Sequence, residues 1–278
     1  MFMRHVLAAI LAFATVLPAS ADETGPSELT KLMTAYDARG WEAVGRLNIG
    51  WGGMCTGALI APDIVLTAGH CLFETSTGAQ VDASDVEFLA GWRDGRASAK
   101  RRARVAVVHP SYVFSGPSGN DTVAFDLAIL KLESPINLPH VTPFPTGKRP
   151  RKGASVGVVS YARERADAPS IQEVCHVLAR RKGTLVMSCD VDFGSSGAPV
   201  FAEIDGKPQI VSVVSAMADV GDRRVSLGTN LEKPLAEMFA LLTSGFGATA
   251  APPVAARRIT PNTPRVLSGD GGAKFLRP

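Results

Sequence analysis

Ile64-Val65-Leu66-Thr67-Ala68-Gly69-His70-Cys71 runs from strand-forming residues into a small-residue turn that carries a histidine beside a cysteine. The apolar run is too short for a helix, so it predicts a buried strand that delivers His70 to a turn. Working outward, runs of the same kind recur: Ala58-Leu59-Ile60, Val105-Ala106-Val107-Val108, Leu127-Ala128-Ile129-Leu130, Val156-Gly157-Val158-Val159 and Ile210-Val211-Ser212-Val213-Val214. Short runs at close spacing, broken by turn residues, predict an all-β sandwich or barrel. Two stretches have helical spacing instead. Glu28 to Tyr36 places Leu29, Leu32, Met33 and Tyr36 on one stripe, and Glu232 to Leu242 repeats Leu235, Met238, Phe239 and Leu242, predicting a closing helix packed on the barrel. Pro139 to Lys152, rich in proline and basic residues, reads as the linker between two halves, and no internal repeat is visible.

Of 278 residues, 46% are hydrophobic and 20% charged, which excludes general disorder and a crosslink-dependent mini-protein. The formal charge of +3 comes from the ends. Arg257, Arg258, Arg265, Lys274 and Arg277 stand near the C-terminus against Asp270 alone, Arg4 lies near the N-terminus, and the body between is net negative. A nucleic-acid partner is therefore not expected. Met1 to Ala21 reads as a signal peptide, with Arg4 and His5, an apolar run from Val6 to Leu17, and small residues Ala19-Ser20-Ala21 at the cleavage site. Residues 22–40 are then an N-terminal extension, and 245–278, rich in Gly, Pro and Ala without hydrophobic period, a disordered basic tail. The apolar run at the start is shorter than the ~20 residues that span a bilayer, so no transmembrane anchor is expected once the signal is removed. Export makes Cys55, Cys71, Cys175 and Cys189 two disulfides, for which sequence allows three pairings. His70-Cys71 and Cys175-His176 lack metal-ligand spacing, so no metal is expected.

Chemistry concentrates in three places. Phe193-Gly194-Ser195-Ser196-Gly197-Ala198-Pro199 flanks serines with glycines, which allow positive φ and bring backbone amides close to a substrate carbonyl. Upstream stand Leu66-Thr67-Ala68-Gly69-His70-Cys71 and Phe125-Asp126-Leu127-Ala128-Ile129-Leu130-Lys131-Leu132. Alone, Gly-Ser-Ser-Gly reads as a linker, His70 as a packed histidine and Asp126 as a strand-end residue.

Together, in the order His, Asp, Ser, they resemble the trypsin/chymotrypsin-like serine peptidases over residues 41–243. Thr67-Ala68-Gly69-His70-Cys71 next to an export signal is a specific match; Cys55-Thr56-Gly57-Ala58-Leu59-Ile60 matches the segment before it. Asp121 lacks the Leu-Ala-Ile-Leu strand that follows Asp126 and is the weaker acid. The resemblance implies two antiparallel six-stranded-type β-barrels, near 41–138 and 153–231, with the active site between them and a C-terminal helix. It implies His70, Asp126 and Ser196 as catalytic residues, Ser196 being the serine immediately before Gly197-Ala198-Pro199. It further implies an oxyanion hole at Gly194 and Ser196, a Cys55–Cys71 bridge, and no cofactor. Cys175 and Cys189 are expected to form the other local loop. The expected activity is a periplasmic or extracellular serine endopeptidase acting on protein or peptide substrates as a monomer; the alternative is a silent homologue that only binds.

Some positions depart from the family pattern. Zymogen-type members carry aspartate just before the nucleophile, where this chain has Ser195, and no Ile-Val-Gly-Gly-like start precedes Trp41. A hydroxyl cannot hold a buried ammonium as an ion pair, so activation by a second cut is not expected. Ser195 and Cys189-Asp190 look more like the bacterial secreted branch, glutamyl endopeptidases included. Asp190, Ser215 and Met217 fall at specificity-pocket positions, although Asp192 replaces a familiar cysteine, Val214 stands where glutamyl endopeptidases place histidine, and Met217 replaces a glycine. Residues 22–40 also admit a propeptide role, their apolar stripe lying over the cleft. Lys100-Arg101-Arg102-Ala103-Arg104 and Arg180-Arg181-Lys182 read as solvated faces, with an anionic glycan or lipid surface as the functional alternative.

Overall fold

The computed structural model describes residues 25–50, 52–115 and 120–245. The expected signal peptide and the tail beyond Gly245 lie outside the described residues. Six strands close the first barrel: β2 (Val44–Ile49), β3 (Gly53–Ala61), β4 (Ile64–Thr67), β5 (Val86–Ala90), β6 (Ala99–Val108) and β7 (Ala128–Leu132), hydrogen-bonded in the order β2-β3-β4-β7-β6-β5. The second comprises β8 (Ser155–Ser160), β9 (Ser170–Arg181), β10 (Thr184–Met187), β11 (Pro199–Ile204), β12 (Lys207–Val220) and β13 (Arg223–Asn230), closed by pairing of β8 with β9. All ladders in both barrels are antiparallel. The two barrels and the closing helix α1 (Glu232–Thr243) expected from the sequence are present.

Strand period places the side chains. On β6, Lys100, Arg102 and Arg104 are exposed while Ala99 and Ala103 are buried, so that basic cluster covers the outer face of a barrel strand. Leu47, Leu59, Leu66, Phe88, Ile129 and Leu130 are fully buried in the first core. Val156, Val158, Leu185, Met187, Val200 and Val211 fill the second. Each such burial is worth about 1.5–3 kcal/mol. An aromatic cluster extends the first core onto the linker and β11: Trp41 meets Phe201 edge-on at 5.0 Å, and Phe144 meets Phe201 at 4.7 Å. The helix returns to the first barrel, where Glu237 accepts a hydrogen bond at 3.0 Å from Nε2 of His109, whose Nδ1 accepts the Ser111 N–H. Leu235 and Met238 are buried as its spacing requires, whereas Phe239 is 37% exposed.

The helix expected over Glu28 to Tyr36 does not form. Residues 30–31 are a strand instead, β1 (Thr30–Lys31), paired with Ile171 and Ser170 of β9. Leu32 is buried, but Met33 and Tyr36 are 51% and 75% exposed, so the stripe has no surface to cover. Pairing with an available strand outcompetes local helical spacing, since a helix this short gains little on its own. Residues 27–32 of the extension therefore lie against β9 and the segment just before it.

Candidate active site

β4 ends at Thr67, and a single 3₁₀ turn, Gly69–Leu72, carries His70. The Cys55–Cys71 disulfide fixes that turn to β3, with a sulfur–sulfur distance of 2.06 Å. Asp126 follows another 3₁₀ segment, Asn120–Phe125, just before β7. Its main-chain carbonyl accepts a hydrogen bond from the Thr229 hydroxyl of β13 at 3.1 Å, so the second barrel steadies an acid borne by the first.

The buried Asp126 carboxylate takes three donors. The His70 backbone N–H reaches Oδ1 at 2.7 Å, His70 Nδ1 reaches Oδ2 at 2.7 Å, and the Ser215 hydroxyl donates to the same Oδ2. Ser215, expected at the specificity pocket, thus has its hydroxyl on the acid. Burial pushes the Asp126 pKa up, yet the His70 interactions and the Ser215 bond outweigh it and hold the group below the ordinary carboxylate value. Burial alone would lower the His70 pKa; the charge and hydrogen bond of Asp126 reverse that and raise it above the ordinary imidazole value. Nδ1 must carry the hydrogen in this contact, which leaves Nε2 as the basic atom.

The serine loop is pinned to the histidine segment from β3 and β4. Thr56 N–H donates to the Ser196 carbonyl at 2.8 Å, and the Thr56 hydroxyl donates to the Gly194 carbonyl at 2.9 Å while accepting the Tyr161 N–H at 3.0 Å. Gly197, at φ +80°, packs so closely on Thr67 and Thr56 that a Cβ there would lie 2.1 Å from the Thr67 hydroxyl. Ser196 is thereby brought beside the segment that bears His70.

The orientation of two peptide planes follows from their carbonyls. Arg163 N–H holds the Phe193 carbonyl at 2.7 Å, and Ala198 N–H holds the Ser195 carbonyl at 2.9 Å. Peptides are planar and trans, so the N–H groups of Gly194 and Ser196 point the opposite way. Neither has an acceptor among the described residues. Gly194 sits at φ +99°, which its missing Cβ permits, and an added Cβ would also strike Met54.

Ser195 is enclosed, in contrast to its neighbour. Its hydroxyl oxygen accepts from the Asp192 N–H and from Arg165 Nη2, each at 3.2 Å, and lies 3.3 Å from the Ser160 hydroxyl. One of these donors is charged, and a buried hydroxyl accepts it without needing a counter-charge. Arg165 also interacts electrostatically with Asp190 and Asp192, and burial pushes its pKa down. The Asp190 side chain is exposed and its N–H donates to Gln172. Met217 packs partly buried against the second core. Cys175 and Cys189 form the other disulfide, at 2.07 Å.

Thr56, Tyr161, Arg165 and Gln172 were not singled out as site residues from sequence. Polar side chains within apolar strands, as in Cys55-Thr56-Gly57 and Ile171-Gln172, are the available signal, because buried polar groups need partners. Replacing Thr56 by the isosteric valine should orphan the buried Tyr161 N–H and cost about 1–3 kcal/mol in urea denaturation.

A family model, the trypsin-like peptidase domain, matches residues 55–208. Serine protease SSP1 of Scolopendra subspinipes is 32% identical over 92 residues, covering 32% of this chain, and the chain spans 29% of that protein's length. Among solved structures, a Glu endopeptidase in complex with MPD superposes with a TM-score of 0.62 at 20% identity, over 78% of this chain and 97% of the other. That likeness is one of fold. By the family match over more than half its length, the chain belongs to the trypsin-like peptidase family.

Proposed function

We propose that this chain is an exported serine endopeptidase that cleaves peptide bonds through an acyl-enzyme on Ser196. The observation that carries the reading is the Asp126–His70 pair, closed by Ser215, beside a serine loop with two unengaged amides. His70 Nε2 takes the proton of the Ser196 hydroxyl as its oxygen attacks the scissile carbonyl. The N–H groups of Gly194 and Ser196 stabilise the resulting oxyanion, at about 3 kcal/mol per donor. Collapse breaks the C–N bond, and His70 returns the proton to the leaving amine. Water then attacks the ester by the same route and releases Ser196.

Residues 41–244 make up the peptidase domain in this reading, and 1–21 the export signal. Two disulfides suit an oxidising compartment, and no described helix is long and apolar enough to cross a membrane.

A fluorophosphonate should label the chain starting at Asp22 and fail to label its Ser196→Ala variant. A folded wild-type chain that neither labels nor cleaves a peptide library would instead favour the binding-only alternative. Equal labelling of both proteins would refute the nucleophile.

A further inference from the structure

The arm before the first barrel and the loop before the nucleophile meet at one buried side chain, Gln172, which is 4% exposed. Its Nε2 donates to the Ser27 carbonyl at 2.8 Å, and its Oε1 accepts the Asp190 N–H at 2.7 Å. The amide cannot be reversed, because that would set N–H against N–H and oxygen against oxygen.

Each partner is secured independently to β9 or to the residues just before it. Ser27 N–H donates to the Val174 carbonyl at 2.8 Å, and the Val174 N–H donates back to the Ser27 hydroxyl at 2.9 Å. Leu32 N–H donates to the Pro169 carbonyl at 2.8 Å, and Lys31 pairs with Asp167 at 2.8 Å. On the loop side, His176 N–H donates to the Ser188 hydroxyl at 2.9 Å and the Cys175–Cys189 bridge holds the adjoining residue. Asp190 is the next position, and only Val191 to Phe193 separate it from Gly194. A displacement of its N–H would carry into the wall of the substrate pocket before reaching the nucleophile.

We infer that Gln172 is a positioning residue through which the arm at Ser27 sets the Asp190 segment of the substrate pocket. The arm is then a working part of the mature enzyme, joined to the pocket by two hydrogen bonds to one amide. Zymogen-type relatives order this region with a released ammonium; here a neutral amide and an uncut arm serve. The inference rests on the peptidase reading above.

The test compares the chain starting at Asp22 with Gln172→Met, with a chain starting at Leu29 that keeps β1 and Leu32 but lacks Ser27, and with both changes combined. Two substrates are used: the best fluorogenic peptide amide from the library, and p-nitrophenyl acetate, whose acetyl group does not fill a side-chain pocket. The acetate burst also titrates active sites, so misfolded material is discounted. Each single change should lower kcat/KM on the peptide 10- to 50-fold, mainly through KM, and leave acylation by the acetate within threefold. The combined form should be no worse than the poorer single one, because the two changes break one connection. Unchanged peptide kinetics, an equal loss on both substrates, or additive losses would each overturn the inference. A wild-type chain acylated by neither substrate would instead defeat the peptidase reading.

Discussion

Ser196→Ala should lower kcat by about 10⁶-fold while leaving the melting temperature unchanged. Removing the nucleophile of a Ser-His-Asp unit costs that much because the remaining members have no proton transfer left to perform. Stability should hold because the Ser196 hydroxyl makes no hydrogen bond among the described residues, so nothing buried is orphaned. Ser195→Ala supplies the contrast. Its buried hydroxyl engages Arg165 and the Asp192 N–H. Truncation should therefore cost about 1–3 kcal/mol by thermal or urea unfolding. The reactive atom would remain, and folded Ser195→Ala protein should still react with a fluorophosphonate. Two adjacent serines would then separate cleanly into a chemical one and an architectural one.

Asp126→Asn should lower kcat about 10⁴-fold near neutral pH, because an amide favours the wrong tautomer of His70. The pH profile carries a further signature. His70 must be neutral to accept a proton, so activity rises with pH as its imidazolium is lost. Asp126 holds the His70 pKa above its ordinary 6.5, which places the acid limb of the wild-type profile above that value. In the asparagine variant the carboxylate's charge is gone and burial remains, which disfavours imidazolium. The residual activity should therefore show an acid limb moved to lower pH, measurable as kcat/KM against pH. A limb that stays in place would mean that Asp126 does not set the protonation of His70.

Legibility from sequence divided along the distance over which each feature is encoded. Ile64–Thr67 was readable as a strand because β-branched residues and a Gly turn act within a few positions, and β4 has those bounds. His70, Asp126 and Ser196 could be proposed from sequence because each sits in its own local motif, and the structure pairs the first two. The contact of Ser215 with Asp126 joins residues 89 apart, and Gln172 reaches Ser27 across 145, so neither leaves a local pattern. The stretch from Glu28 to Tyr36 misled for a related reason. Its helical spacing was real, but the partner that decides its structure is β9, far along the chain.

The position of the arm on β9 has a bearing on how the protein survives handling. On the side of β9 away from β8, β10 pairs with residues Val177 to Arg181, β1 pairs with Ser170 and Ile171, and Ser27 engages Val174. A barrel otherwise closed on itself therefore contains a stretch of ladder that a detachable segment completes. Trimming by contaminating proteases would strip this cover and expose a row of bare N–H and C=O groups. Such an edge is a template for pairing with a neighbouring molecule, the first step of sheet-mediated aggregation. A chain trimmed of this arm is therefore expected to self-associate more readily than the longer one, which light scattering of the two forms over storage would show.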